Sequence, residues 1–238
     1  MSRRDEIAAG LAETERRIES ACESAGRERS EITLIVVTKT YPASDVELLT
    51  ELGVTDVGEN RHPEAGLKLE ELRAGHPDAA EPMPRWHFLG GLQTNKAGAV
   101  ARYADVVHSV DRAKLAHSLS RGAEAAGRVL TCLVQVDFAA TDPGRSGVVP
   151  AGIADVASAI ADSAHLELGG LMTVAPLGED PAPHFAHLVQ LSHDLRGRHP
   201  AATIVSAGMS GDFEAAVEAG ATHLRIGRSI LGERPPAG

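Results

Sequence analysis

The feature that most limits what this chain can fold into is a regular alternation. Short apolar runs recur along it, and each is followed by a stretch of helical periodicity. "TLIVV" at 33–37, "VTDVGE" at 54–59, "WHFLG" at 86–90 and "ADVVHSV" at 104–110 are the first four. "VLTCLVQVDF" at 129–138, "LELGGLMTV" at 166–174, "ATIVSAG" at 202–208 and "THLRIGR" at 222–228 complete the set. Strands that alternate with helices pair in parallel, because each helix carries the chain back to the start of the next strand. Eight such units in 238 residues predict a single (β/α)8 TIM barrel over residues 1–238, in preference to an open doubly wound sheet. An extra helix stands in front, over the first ~27 residues, with Ile7, Leu11, Thr14 and Ile18 at spacings of three and four.

Local signals mark the boundaries. Ser44 is expected to cap the helix after the first strand and Gly53 to end it; Asp111 is expected to cap the helix through 126. Helices are also expected over 60–75, 94–102, 150–163, 180–197 and from Ser210 or Gly211 to Ala219, with a Pro/Gly-rich tail after the last strand. The proline-rich stretch 76–85 reads as a surface loop. Aromatics make up only 3% of the chain, so the core must be built from Ala, Val, Leu and Ile, which suits close packing of helices on a sheet.

Charge and cysteine content narrow the function. A net charge of -10 disfavours general binding to nucleic acid or to an anionic membrane. The N-terminus lacks the apolar core of a signal peptide, and no apolar run is long enough to span a bilayer. Cys22 and Cys132 have no partners at metal-ligand spacing and read as free thiols in a reducing cytoplasm.

In a barrel of this kind the site lies at the C-terminal ends of the strands. Lys39 stands just past the first strand. A partly desolvated lysine there exposes a neutral amine, the nucleophile for a Schiff base with an aldehyde; a lysine snorkelling to solvent fits the same position. The loops after the last two strands, "SAGMSG" and "IGRS", are rich in Gly and Ser. Barrels commonly bind phosphate there, though Gly and Ser are also ordinary turn residues. Taken together, an amine and a phosphate cup on one barrel face suit pyridoxal 5′-phosphate (PLP).

"TLIVVTKTYP", "VGENR", "WHFLGGLQTNK", "HSVDR", "GLMTVAP" and "SAGMSGDFEAAVEAGATHLRIGRSILG" occur in this order. From about residue 5 to 233 the chain resembles the YggS/PROSC family of PLP homeostasis proteins, whose fold is like the N-terminal domain of alanine racemase. The resemblance implies a Schiff base at Lys39 and places Asn60 and His87 beside the cofactor. It also implies a phosphate loop at Ser206, Met209 and Ser210, Arg225 against the pyridine nitrogen, and Gly227 at the phosphate. Gly91, Ala207 and Arg228 depart from common family residues. Arg228 replaces a frequent Thr, so the phosphate there would meet a charge or nothing in place of a hydroxyl.

An arginine at the pyridine nitrogen cannot accept a proton, which weakens PLP as an electron sink. The resemblance therefore implies a non-enzymatic protein that acts in cytoplasmic PLP homeostasis as a monomer, with PLP-dependent apoenzymes as possible recipients. The alternative is a PLP-dependent amino-acid racemase, which needs a second base. Of the two tyrosines, Tyr41 and Tyr103, only Tyr41 is placed to supply one, and a packing role suits it better. A PLP-free phosphosugar enzyme is a third reading. His184, His187 and His193 on one expected helix read as a solvated face, and Asp137, Asp142 and Arg145 as candidates for the rim of the mouth.

Overall fold

The computed structural model describes residues 1–75, 83–139 and 146–233. Asp142, Arg145 and most of the expected loop at 76–85 lie outside the described residues. The strands are β1 (Thr33–Val37), β2 (Asp56–Glu59), β3 (Arg85–Phe88), β4 (Val106–Val110), β5 (Leu130–Val136), β6 (Leu166–Thr173), β7 (Ile204–Ser206) and β8 (His223–Ile226). They close into a parallel barrel in chain order, and β8 returns to pair with β1 from Thr33 opposite His223 to Val36 opposite Ile226. The expected barrel and its leading helix are present.

The helices are α1 (Arg3–Ser24), α2 (Ala43–Glu51), α3 (Glu64–Gly75), α4 (Ala97–Val100), α5 (Ala113–Ala125), α6 (Ile153–Ala161), α7 (Pro181–Arg196), α8 (Phe213–Ala219) and α9 (Arg228–Leu231). α1 starts cleanly because Ser2 and Asp5 cap each other's backbone N–H groups. Two expected caps are corrected. α2 begins at Ala43 after Pro42, which leaves Ser44 inside the first turn, and Gly53 (φ 87°) follows the end as expected. α5 begins after Arg112, and Asp111 pairs with the Arg112 guanidinium and does not cap. The tail expected after β8 instead begins with α9, a single turn too short to show helical periodicity.

Two apolar clusters hold the fold. The larger packs the outer face of the sheet against the helices and includes Ile7, Ile18 and Cys22 of α1. The smaller lies inside the barrel, where Val106, Leu133 and Met172 meet Val174 and Ile204. Both cysteines are buried and unpaired, and burial pushes the Cys132 thiol up to about 12.

α1 fixes the last strand end. It crosses α9 so closely that a Cβ on Gly10 would lie 2.4 Å from the Ile230 carbonyl oxygen. At its start, Arg3 bonds both Asp45 of α2 and the Leu231 carbonyl. Alanine usually stabilises a helix interior over glycine by about 1 kcal/mol, and overpacking costs about 1–3 kcal/mol. Gly10→Ala is expected to lower unfolding free energy in urea. Gly98→Ala on α4, where a Cβ meets nothing within 4 Å, is expected to leave it unchanged or raise it.

Candidate functional site

A cavity of about 610 Å³ opens at the C-terminal ends of the strands, a volume suited to a small cofactor. Its walls come from the chain just past β1 (Lys39, Tyr41), β2 (Asn60), β6 (Val174–Glu179), β7 (Met209–Asp212) and β8 (Gly227, Arg228), with Arg225 at the floor. Six of the eight expected site residues therefore meet in one cavity: Lys39, Asn60, Met209, Ser210, Arg225 and Gly227. His87 and Ser206 do not line it. They are 1% and 0% exposed and lie one layer below, inside the barrel.

Lys39 is half-buried and held from behind. Thr38, just before it, donates its hydroxyl to Glu59 at 2.7 Å. Lys68 of α3 bonds both the Glu59 carboxylate, at 2.5 Å, and the Thr38 carbonyl, at 2.8 Å. This ion pair is nearly dry, with side chains 10% and 3% exposed. The next residue, Thr40, has φ 73°, a costly conformation for a β-branched residue. The turn closes with the Tyr41 N–H on the Thr38 carbonyl. The lysine's backbone is thus clamped between a buried pair and a strained turn.

Across the cavity the chain approaches itself through glycine. A Cβ on Gly227 would sit 2.9 Å from the Val37 carbonyl, and one on Gly90 would lie 2.0 Å from that of Asn60. These strand ends converge only because glycine stands there. Arg225 is 5% exposed and donates Nη1–H to Ser206 Oγ and Nη2–H to the Thr173 carbonyl, each at 2.8 Å. Burial brings its pKa down to about 10, so it remains a cation at neutral pH. Tyr41 donates its hydroxyl to the Gly232 carbonyl at 2.6 Å, and the Arg3 guanidinium lies over its ring. Tyr103 lines a separate groove, and burial raises its phenol well above the usual range.

The buried layer below was only partly legible in the sequence. His108 stood in the "HSVDR" motif without a role and Asp56 gave no motif signal; both join His87 and Ser206 there. Burial opposes a charge on Asp56, but hydrogen bonds from His87 and Thr55 outweigh it and keep the carboxyl low. Burial keeps both His87 and His108 below the usual imidazole range, and brings His223 to about 4. At the rim, His184 bonds Glu179 at 2.8 Å, and both His184 and His187 pack on Phe138. Among the described residues no group of three His, Cys, Asp or Glu side chains is placed to hold a metal ion, and no helix is long and apolar enough to cross a membrane.

Residues 11–235 match the family described as "Alanine racemase, N-terminal domain". A Mycobacterium tuberculosis relative named "Pyridoxal phosphate homeostasis protein" is 38% identical over 98% of this chain and 94% of its own length. The chain belongs to the pyridoxal phosphate homeostasis protein family. Two solved structures bear the same likeness. A structure described as "an unknown protein from Bifidobacterium adolescentis" superposes with a TM-score of 0.88 at 32% identity, covering 96% of this chain and 95% of its own. PipY of Synechococcus elongatus PCC7942, solved with PLP bound, gives 0.78 at 31% identity, covering 95% and 100%. Membership of this family agrees with the resemblance read from the motifs.

Two stability outcomes follow from the buried charges. His87, His108 and His223 are held neutral in the folded chain, whereas the unfolded chain takes up protons below about 6.5. Unfolding free energy is expected to be highest above pH 7 and to fall as pH drops through 6, by up to about 1.4 kcal/mol per unit for each histidine. Urea titrations from pH 5 to 8 measure this slope, and a flat profile would contradict buried neutral imidazoles. Lys68→Met strands the Glu59 carboxylate and is expected to cost about 3 kcal/mol in the same assay. Lys68→Met combined with Glu59→Gln is expected to cost less than the single change.

Proposed function

We propose that this protein binds PLP in the barrel mouth, holds it on Lys39, and serves in PLP homeostasis without being a catalyst. The observation that carries the reading is the meeting of Lys39, Arg225, Ser210 and Gly227 in one cavity. The names of the relatives and the PLP bound to PipY support it.

The donor set fits the cofactor. PLP supplies an aldehyde that condenses reversibly with a neutral primary amine to a Schiff base, releasing one water. Lys39 is the lysine among the cavity's lining residues. The clamp formed by Lys68, Glu59 and Thr40 fixes where its chain leaves β1. Gly227 and Gly211 admit a phosphate close to the backbone, Ser210 offers a hydroxyl, and Arg228 adds a positive charge at the rim. Asn60 and Met209 complete the walls. Arg225 faces the pyridine nitrogen in this reading. As a permanent donor it leaves that nitrogen unprotonated.

The same residues argue for a carrier over an amino-acid racemase. Racemisation needs two bases on opposite faces of the substrate carbon, whereas an arginine at the pyridine nitrogen weakens the electron sink without forbidding the reaction. Tyr41 holds its proton toward the Gly232 carbonyl and Tyr103 lies outside the cavity, so neither is placed as the second base. In this reading residues 1–238 act as one PLP-binding domain, in the cytoplasm, as a monomer, and PLP-dependent apoenzymes receive what it releases.

The test is the visible spectrum of the purified protein with PLP, before and after borohydride. A yellow imine band that borohydride traps on Lys39 is expected, and Lys39→Ala is expected to lose the band while keeping its far-UV circular dichroism. Failure of the wild type to take up PLP would overturn the reading. Turnover of D- or L-alanine would overturn only the claim that it is not a catalyst.

A further inference from the structure

Beneath Arg225 runs a chain of four side chains that the proposed function leaves without a task. Ser206 Oγ, which receives Arg225 Nη1–H, lies 3.0 Å from His108 Nδ1. His108 Nε2 lies 2.9 Å from His87 Nδ1, and His87 Nε2 lies 2.8 Å from Asp56 Oδ1. The five residues come from β8, β7, β4, β3 and β2, and none is more than 6% exposed. They cross the barrel interior from the start of β2 to the cavity floor. Apolar side chains share the same interior, where Val106, Leu133 and Met172 form a cluster.

The ends of the chain fix its direction. An arginine only donates and an ionised carboxylate only accepts. His87 must therefore carry its proton on Nε2, toward Asp56. Its Nδ1 then accepts from His108 Nε2–H, and His108 Nδ1 accepts the Ser206 hydroxyl proton. The Ser206 oxygen is left with its lone pairs toward Arg225. Every bond points from the guanidinium to the carboxylate. Were His87 to carry a second proton on Nδ1, His108 would have to turn its own proton to Nδ1. Ser206 would then face donors on two sides, and its hydroxyl would have no acceptor in the chain.

We propose that Asp56, His87 and His108 are positioning residues for Arg225: they keep Ser206 turned as an acceptor and so fix the guanidinium at the cavity floor. What Arg225 meets there rests on the PLP reading; the direction of the chain and the hold on Arg225 do not. With Nη2 on the Thr173 carbonyl and Nη1 on Ser206, the cation is fixed from two strands. Loss of the Ser206 acceptor would leave only one.

The test compares His108→Asn with His108→Phe. Asparagine can present a carbonyl oxygen where Nδ1 stood and so keeps an acceptor for Ser206. Phenylalanine keeps the ring and loses the acceptor. A packing role ranks Phe above Asn, whereas a positioning role ranks Asn above Phe. The first readout is nitrogen-15 NMR of the PLP-free protein. At pH 7 the wild type is expected to show both His87 and His108 as neutral Nε2–H tautomers. The Arg225 guanidinium N–H signals are expected to be slow to exchange in wild type and His108→Asn, and lost in His108→Phe and Ser206→Ala. The second readout is PLP affinity, expected about fivefold weaker in His108→Phe than in His108→Asn, as for one lost hydrogen bond, with borohydride trapping on Lys39 kept in both. An Nδ1–H tautomer at either histidine, or Phe matching Asn in the Arg225 signals, would overturn the proposal. Unfolding of His108→Phe leaves Ser206→Ala to decide, and unchanged Arg225 signals there would overturn it as well. A wild type that binds no PLP sinks the functional reading, and the NMR comparison still decides the chain.

Discussion

A guanidinium buried at the floor of a barrel sets the terms for what surrounds it. Removing such a charge from water costs several kcal/mol unless hydrogen bonds replace the lost hydration. Arg225 meets that demand with a carbonyl from β6 and a hydroxyl from β7. The hydroxyl is oriented in turn by two imidazoles and a carboxylate from strands across the ring. One buried cation thus explains why an interior that aliphatic side chains would fill is polar on one side. The closed ring makes this possible, because it brings β2, β3, β4, β7 and β8 around a single axis.

The cavity above depends on the same closure. β1 meets β8, so Lys39 and Gly227 line one cavity although they stand at opposite ends of the chain. The lysine's backbone is further set by Lys68 from α3, which threads to the Thr38 carbonyl and the Glu59 carboxylate. α1 contributes from outside, where Arg3 ties α2 to the end of α9. The Lys39 side chain, the cationic floor and the glycine-lined wall are therefore held by different elements, and strain is concentrated at Thr40 beside the lysine.

Much of the architecture was legible in advance because strand and helix periods are local properties. The apolar run at 33–37 coincides with β1, and those at 129–138 and 166–174 map onto β5 and β6 with ends shifted by at most two residues. Signals failed where competing local chemistry was close. Asp111 found the Arg112 guanidinium and not a helix N-terminus, and Ser44 lost its place to a start at Ala43. α9 is a single turn, too short for its period to register. The motifs pointed to one end of the barrel, and six of the eight expected site residues share the cavity there.

What the sequence by itself determined is the order of parallel units, the lysine at the tip of the first strand and the small-residue loops after the last two. These follow from spacing and residue type along the chain. Only the tertiary structure decided that His87 and Ser206 sit below the cavity and not at its wall. Only it showed that Asp56 and His108 join them, and that Lys68 braces the strand carrying Lys39. The reason is geometric. Side-chain alternation says that a residue faces the barrel interior, but its depth along the axis depends on strand tilt and register, which ring closure sets and no local pattern encodes.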